Sequence, residues 1–407
     1  MKNKIMVQKF GGTSVGSIER IKKVAERIVA TKKMGFKVIV VVSALGDTTD
    51  DLIHMAHKIN PYPNEREMDM LMSTGEQVSI ALLAMAIHHL GYEAISFTGA
   101  QVGILTDKMH TKARIININA NRIKQELSKD KVVIVAGFQG MNLEQDITTL
   151  GRGGSDMTAV ALAKVLNADI CEIYTDVDGV YTADPRIVKD ARKLDEISYE
   201  EMLEMASLGA QVMQARSVEA AGKFNITLHV RNSFNNKKGT MIIKEAGDME
   251  DVLVRAVTAN KGEAKLTICD VPDKPGAAAK IFKGLAKHGI NIDMIVQNVS
   301  RTGSTDVSFT VEKADLDKAL KTTEIILKKV KTGKIICDKD VAKVSVVGIG
   351  MRGHSGVAAD MFEALADAKI NIDMISTSEI KISCLISKKH ADRAVLALHK
   401  KFNLHNK

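Results

Sequence analysis

The 407-residue sequence predicts an α/β chain, with a mainly parallel sheet covered on both faces by helices, followed by a smaller βαββαβ unit present twice. Three observations carry that prediction. Continuously apolar runs, such as Lys37–Ser43 and Lys131–Ala136, alternate with amphipathic helical stretches, the pattern of strands buried on both faces. Two glycine turns, KFGGTS from Lys9 and LGRGGSD from Leu150, each follow apolar or β-branched residues and open a helix. A C-terminal stretch also recurs: PGAAAKIF with GINIDMI, beginning at Pro275, returns 80 residues later as SGVAADMF with KINIDMI from Ser355. That period indicates duplicated domains and not a solenoid.

Composition narrows the class. With 45% hydrophobic and 26% charged residues and no Trp, the chain reads as an ordinary globular protein of two or three domains. Four scattered cysteines (Cys171, Cys269, Cys337, Cys384) form no C-x-x-C pair, which favours free thiols in a reducing cytoplasm over disulfides or a zinc site. The N-terminus lacks a signal-peptide apolar region and no run reaches membrane-spanning length, so no membrane partner is expected. The net charge of +8 is uneven: residues 1–250 carry 31 basic and 31 acidic side chains, residues 251–407 carry 26 and 18. The excess therefore does not surround the glycine turns. A lysine run (Lys328, Lys329, Lys331, Lys334, Lys339, Lys343) supplies much of it and reads as a solvated helix face and loop. No interleaved aromatics, zinc-finger spacing or RNP pattern accompanies it, so nucleic acid is not an expected partner.

In chain order, the strand Ile5–Val7 leads into Lys9-Phe10-Gly11-Gly12-Thr13-Ser14 and an amphipathic helix over 18–29. Strand, glycine turn with one lysine, then helix is the layout of a phosphate cradle, although glycine could serve the turn alone. It is not a Walker A loop. The second strand ends in Ser43-Ala44-Leu45-Gly46-Asp47-Thr48-Thr49, and in parallel sheets ligands sit at such carboxyl ends. Residues 64–90 predict a long helix in which Gly75 requires a packing or ligand reason, and Glu76 beside it suits an ammonium group unless it is simply exposed. His54 and His57 read as surface residues. The second glycine turn carries Arg152, suited to bidentate capture of a carboxylate, before a helix over about 157–166. Asp156 either caps that helix or orients Lys9 and a metal-bound phosphate. Beyond the strand Ile170–Tyr174, the acidic loop Thr175–Arg186 is long enough to wrap a nucleotide.

KFGGTSV, VVSALGDTTD, STGEQVS, TTLGRGGSD and YTDVDGVYTADPR occur in the order and spacing of aspartokinases, and the chain resembles that family, part of the amino acid kinases, over its full length. The resemblance implies a three-layer αβα sandwich with a mainly parallel sheet, and transfer of phosphate from ATP, with Mg2+, to the side-chain carboxylate of L-aspartate. It implies Lys9 and Asp156 as catalytic. For ATP it implies Lys9, Phe10, Gly11, Gly12, Ser43, Thr175, Asp176, Tyr181, Thr182, Ala183, Asp184, Pro185, Arg186 and Gln211. For aspartate it implies Asp47, Thr48, Thr49, Glu76, Arg152, Gly153, Gly154 and Ser155. Many relatives have lysine where this chain has Gln211, a donor without the charge. Two further readings are a kinase for another acceptor, such as glutamate or UMP, and a non-catalytic amino-acid sensor.

The repeat resembles ACT domains, amino-acid sensors that pair side by side. The expected domains are a kinase at 1–245, a linker at 246–262, and ACT domains at 263–336 and 341–407. The resemblance places lysine and threonine, as inhibitors of this first step of their own biosynthesis, at Asn291, Ile292, Asp293 and Gln297, with Val357, Ala358, Asn371, Ile372, Ser378 and Glu379 opposite. For Ile292 and Ile372 only the backbone suits such a role. ACT pairing implies a homo-oligomer, or a complex with a separate regulatory subunit begun internally at Met249. The sequence GIGMRG at 348–353 matches a dinucleotide-binding pattern, but the first repeat lacks those glycines and the βα unit is too small for that fold.

Overall fold

The computed structural model describes residues 4–208, 212–245, 253–298, 303–330, 333–351, 354 and 356–406. They form two units. The first takes in residues up to Val180, Lys193–Ser207 and the described residues up to Glu245; the second takes in Tyr181–Arg192, Leu208 and the described residues from Leu253 onward.

The first unit runs β1 (Ile5–Phe10), α1 (Ile18–Lys33), β2 (Lys37–Val42), α2 (Thr48–Ile59), α3 (Glu65–His89), β3 (Ala94–Phe97), β4 (Ile104–Thr106), β5 (Ile115–Ile118) and α4 (Asn121–Ser128). It continues with β6 (Val132–Ala136), β7 (Gln139–Met141), β8 (Ile147–Thr149), α5 (Gly154–Leu166), β9 (Ile170–Thr175), β10 (Glu196–Ser198), α6 (Tyr199–Ser207), α7 (Ala215–Phe224), β11 (Leu228–Asn232) and β12 (Thr240–Ile243). Eight strands form one sheet in the order β10-β12-β11-β9-β1-β2-β6-β3, and only the β11–β12 pair is antiparallel. β1 lies inside this sheet, parallel to β2 on one side and to β9 on the other. Side chains alternate across it. Phe10, Val38, Val40, Val42 and Ile134 pack against Ile21, Ile28, Leu83 and Ile87 of α1 and α3, while α5 covers β1, β2 and β9 on the opposite face with α7 beside it. A second sheet, β5-β4-β7-β8, adjoins the end of α3.

Local chemistry sets the element ends. The Ser17 hydroxyl accepts from Arg20 N at the start of α1, and Gly35, with φ of 89°, follows its last turn. α3 is long and apolar enough to cross a membrane by length and composition, yet half of that window is packed inside the protein, and its buried stripe carries Asp69 and Glu76. A Cβ at Gly75 would stand 2.8 Å from Ala44 Cβ, so the mid-helix glycine lets α3 lie directly on the end of β2.

The second unit contains β13 (Ala256–Asn260), β14 (Glu263–Pro272), α8 (Ala277–Lys287), β15 (Ile295–Gln297), β16 (Ser304–Glu312), α9 (Leu316–Val330), β17 (Lys334–Asp338), β18 (Val341–Val347), α10 (Val357–Asp367), β19 (Met374–Thr377), β20 (Lys381–Ser387) and α11 (Ala391–Lys401). Two antiparallel sheets result, β15-β16-β14-β17 and β19-β20-β18-β13. Part of the expected 246–262 linker is thus a strand. β13 takes in the second sheet the edge that β17 takes in the first, pairing Ala256 with Val347. The segment Tyr181–Arg192 also packs here: Val257 N donates to Thr182 O at 2.8 Å, and Ala183 and Val188 join a core with Val344, Val346 and Leu398.

The two repeats are tied by matched ion pairs. Lys343 on β18 is 2% exposed and meets Glu263 at 2.6 Å and Asp293, from the first NID turn. Its repeat equivalent, Lys265 on β14, lies 3.7 Å from Asp373 of the second NID turn. Lys343 is therefore not part of a solvated lysine run. Burial alone would push its ammonium down, but the two carboxylates beside it hold it above its ordinary range. Met294 and Met374, again equivalent, share an apolar cluster with Val341 and Leu385. Lys343→Met leaves Glu263 buried without its counter-charge, and urea unfolding should show a loss of about 3–5 kcal/mol. The companion Lys343→Met/Glu263→Leu variant should recover much of it.

Candidate functional site

The site forms where the carboxyl ends of β1 and β2 meet the first turn of α5. Lys9, one residue from the end of β1, extends its ammonium to Asp156 Oδ1 at 2.6 Å, with the two side chains only 13% and 9% exposed. Asp156 is held there by its place in the first turn of α5, which begins at Gly154, three residues earlier than the hydrophobic pattern alone indicates. Gly11 and Gly12 turn the chain beside this pair. A Cβ at Gly11 would sit 3.5 Å from Lys9 Nζ, and one at Gly12 would sit 2.9 Å from Gly46 O and 3.0 Å from Ala44 O. Only glycine at position 12 lets this turn nest against the one after β2, where Gly46 N donates to Gly12 O at 3.1 Å.

From the ion pair a chain of short contacts crosses to α3. Ser155 Oγ lies 3.1 Å from Ser43 Oγ at the end of β2, and the next amide, Ala44 N, donates to Glu76 Oε1 at 3.2 Å. Gly137, after β6, leaves room for Ser155, since a Cβ there would meet its Oγ at 2.6 Å. Glu76 is buried and not an exposed helix carboxylate. Its Oε2 finds no hydrogen-bond partner among the described residues. Burial pushes this carboxyl up to about 7, and the Ala44 amide only partly offsets it. A buried carboxylate with an open oxygen is chemically ready for a cationic ligand.

Arg152 is exposed and, among the described residues, unpaired. Its loop is braced from behind. Gly153 is left-handed (φ 70°), and a Cβ there would collide with Gln214 Cγ at 1.7 Å. The Arg216 guanidinium donates to Leu150 O at 3.2 Å and Ala113 O at 3.1 Å. Of the residues after β2, Asp47 is exposed and the Thr48 hydroxyl donates to Leu45 O at 2.6 Å, while Thr49 is half-buried at the start of α2. Thr175 and Asp176 close β9 beside β1. Tyr181–Arg186 belong to the packing of the second unit: Thr182 and Ala183 are buried there, and Asp184 is paired with Arg186 at 2.7 Å. Gln211 lies outside the described residues.

Sequence reasoning missed Asp69. It is fully buried on α3, accepts from Thr149 Oγ1 at 2.5 Å and from Thr111 N at 3.1 Å, and pairs with His110 Nδ1 at 2.7 Å. It thereby pins the end of β8 that leads into the Arg152 loop. The available signal was a carboxylate on the apolar stripe of α3, four and seven residues from Ser73 and Glu76. Gln214 and Arg216 offered no comparable pattern. A separate crevice of about 540 Å³, lined by Arg27, Tyr174, Arg231 and Phe234, opens beside α1 and includes none of the residues above.

In the second unit the expected effector residues divide by exposure. Asn291, Gln297, Asn371, Ser378 and Glu379 are exposed; Ile292, Ile372 and Ala358 are half-buried; Val357 is buried. The carboxylate of Asp293 already serves Lys343.

Comparison with known proteins bears on this geometry. The amino acid kinase family pattern matches residues 4–232, and ACT domain patterns match residues 265–328 and 344–402. An aspartokinase of Corynebacterium efficiens is 52% identical, covering 98% of this chain and 96% of its own. An aspartate kinase of Pseudomonas putida is 53% identical, covering 98% of each. The structure of E. coli aspartokinase III in complex with aspartate and ADP superposes with a TM-score of 0.84 at 26% identity, over 98% of this chain and 99% of that one. Its lysine and aspartate complex, described as the T-state, gives 0.76 over the same shares.

The Glu76 carboxyl has a pH signature. Its folded pKa of about 7 lies above the ordinary 4.5, so the folded form holds a proton that the unfolded chain has released. Stability from this group is full below pH 4.5 and is lost as pH rises toward 7. Between pH 5 and 8, ligand-free wild type should lose on the order of 2 kcal/mol that Glu76→Gln retains, read from urea midpoints.

Proposed function

The chain belongs to the aspartokinases of the amino acid kinase family, an aspartate kinase with two ACT domains, and from that premise we propose how its residues divide the reaction. The observation that carries the proposal is the unbroken set of contacts Lys9–Asp156, Ser155–Ser43 and Ala44–Glu76. It sets a fixed cation at one end of a site and an open carboxylate at the other.

A side-chain carboxylate of aspartate, with an ordinary pKa near 4, is ionised and nucleophilic at neutral pH. No general base is required, so catalysis rests on positioning and charge neutralisation. Glu76 receives the substrate ammonium; Arg152 and Ser155 receive its α-carboxylate; Asp47, Thr48, Thr49, Gly153 and Gly154 border it. The substrate β-carboxylate is thereby directed toward Lys9. Lys9, with the backbone amides of Gly11 and Gly12, stabilises the transferring phosphoryl group, and Asp156 keeps the ammonium in place. Thr175 and Asp176 face the nucleotide. ATP brings its divalent ion on its phosphates, as Mg2+ sites often do. Asp156, a buried carboxylate already beside Lys9, is the residue suited to meet it, and the ion would supply further neutralisation of phosphate charge.

Lysine and threonine act as inhibitors on the paired ACT domains, at the exposed side chains Asn291, Gln297, Asn371, Ser378 and Glu379. An oligomer, or a partner chain begun at Met249, a position outside the described residues, supplies the pairing. Four free thiols, two of them buried, suit a cytoplasmic enzyme.

Lys9→Ala should lower aspartyl hydroxamate formation by about 100- to 1000-fold or more, chiefly in kcat. Undiminished formation would sink the assignment. Glu76→Gln should instead raise KM for aspartate by about tenfold or more and abolish its fall between pH 6 and 8, where wild-type Glu76 ionises. Lysine and threonine, titrated singly and together into the same assay, should inhibit. No inhibition by either would refute the effector assignment.

A further inference from the structure

In the second unit, the turn after α11 folds back on the helix. Asn403 adopts φ of 53°, its amide bonds to Lys400 O, and Leu404 N donates to His399 O at 3.1 Å. Leu404 is buried, which fixes the turn. The consequence is that His405 returns to the side of His399, their rings 6.3 Å apart between centres. Asp190, from the segment Tyr181–Arg192, meets both. One ligand atom each from Asp190, His399 and His405 lies within 4.8 Å of the others, and among the described residues no other three such side chains converge this way.

We propose that Asp190, His399 and His405 form a binding site for one divalent transition-metal ion of the zinc type. Two imidazoles and a carboxylate are the donor set of zinc, cobalt and nickel sites, and not of the all-oxygen cages that hold magnesium or calcium. Three protein donors leave further coordination positions for water. His399, 2% exposed, is oriented from behind: its Nε2 faces Thr182 Oγ1 at 3.0 Å, and that hydroxyl in turn accepts from Arg192 N at 3.0 Å. With Nε2 so engaged, Nδ1 is the nitrogen left for an ion, and a hydrogen bond on the second ring nitrogen is the usual support of a ligating histidine. Ligands about 2.0–2.1 Å from a zinc ion stand about 3.4 Å apart, so closing the site takes a shift on the order of 1 Å. That shift falls on Asp190 and His405, both exposed, which also gives the ion access from solvent. The bound ion would tie the Tyr181–Arg192 segment to the C-terminal turn, and this holds whatever the kinase residues do.

The test uses the full-length protein, stripped with a chelator and free of nucleotide, titrated with Co2+. One equivalent should bind with visible d–d absorption, without the strong thiolate bands that a cysteine site would give, and Zn2+ should displace it. Asp190→Asn and His405→Ala, both at exposed positions, should each weaken binding about tenfold or more while circular dichroism stays unchanged. Absence of binding, or a titration unaltered by both substitutions, would overturn the proposal.

Discussion

The proposed kinase site depends on one ion pair. Lys9 and Asp156 come from a strand in the middle of the large sheet and from the first turn of the helix that covers it. A lysine this enclosed requires a counter-charge, and a carboxylate this enclosed requires a cation. Each therefore specifies where the other must be. The glycines at 11 and 12 and the small residues Ser43, Ala44, Gly75, Gly137 and Ser155 follow from that requirement, because they let two strand ends and two helices approach the pair. Larger side chains at Gly12 or Gly137 would meet backbone or Ser155 at under 3 Å.

The second unit repeats one device. Lys265 and Lys343 occupy equivalent places on the first strands of the two repeats, and Asp293 and Asp373 occupy equivalent places in the two NID turns. Each lysine meets the aspartate of the other repeat. A duplicated domain thus stitches itself together with the same pair used twice, and Met294 and Met374 fill the space between. The NID turns consequently do structural duty alongside any part they take in receiving an amino acid.

Much of this was legible in the sequence, for identifiable reasons. Alternating apolar runs and helical periodicity showed the parallel sheet, and the 80-residue period showed the paired smaller domains. Lys9 and Asp156 each drew notice from their glycine turns, although nothing local stated that they touch. Other features resisted reading because they depend on tertiary partners. Lys343 looked like one more lysine of a solvated run until Glu263 and Asp293 arrived beside it. β13 looked like a linker because four or five residues carry little pattern without the neighbouring β18. Asp69 sat on an apolar helix stripe whose polar partners come from distant loops. The loop Thr175–Arg186 reads from sequence as part of the kinase, whereas its Ala183, with Val188 just beyond it, finds its core in the other unit.

In the proposed site Lys9 and Asp156 act as one element, neither effective in catalysis without the other. A double-mutant cycle on kcat for aspartate phosphorylation, using Lys9→Ala, Asp156→Asn and the pair, tests it most directly. Strong non-additivity is expected, with the double variant scarcely slower than Lys9→Ala alone. Losses that multiply across the two substitutions would contradict it.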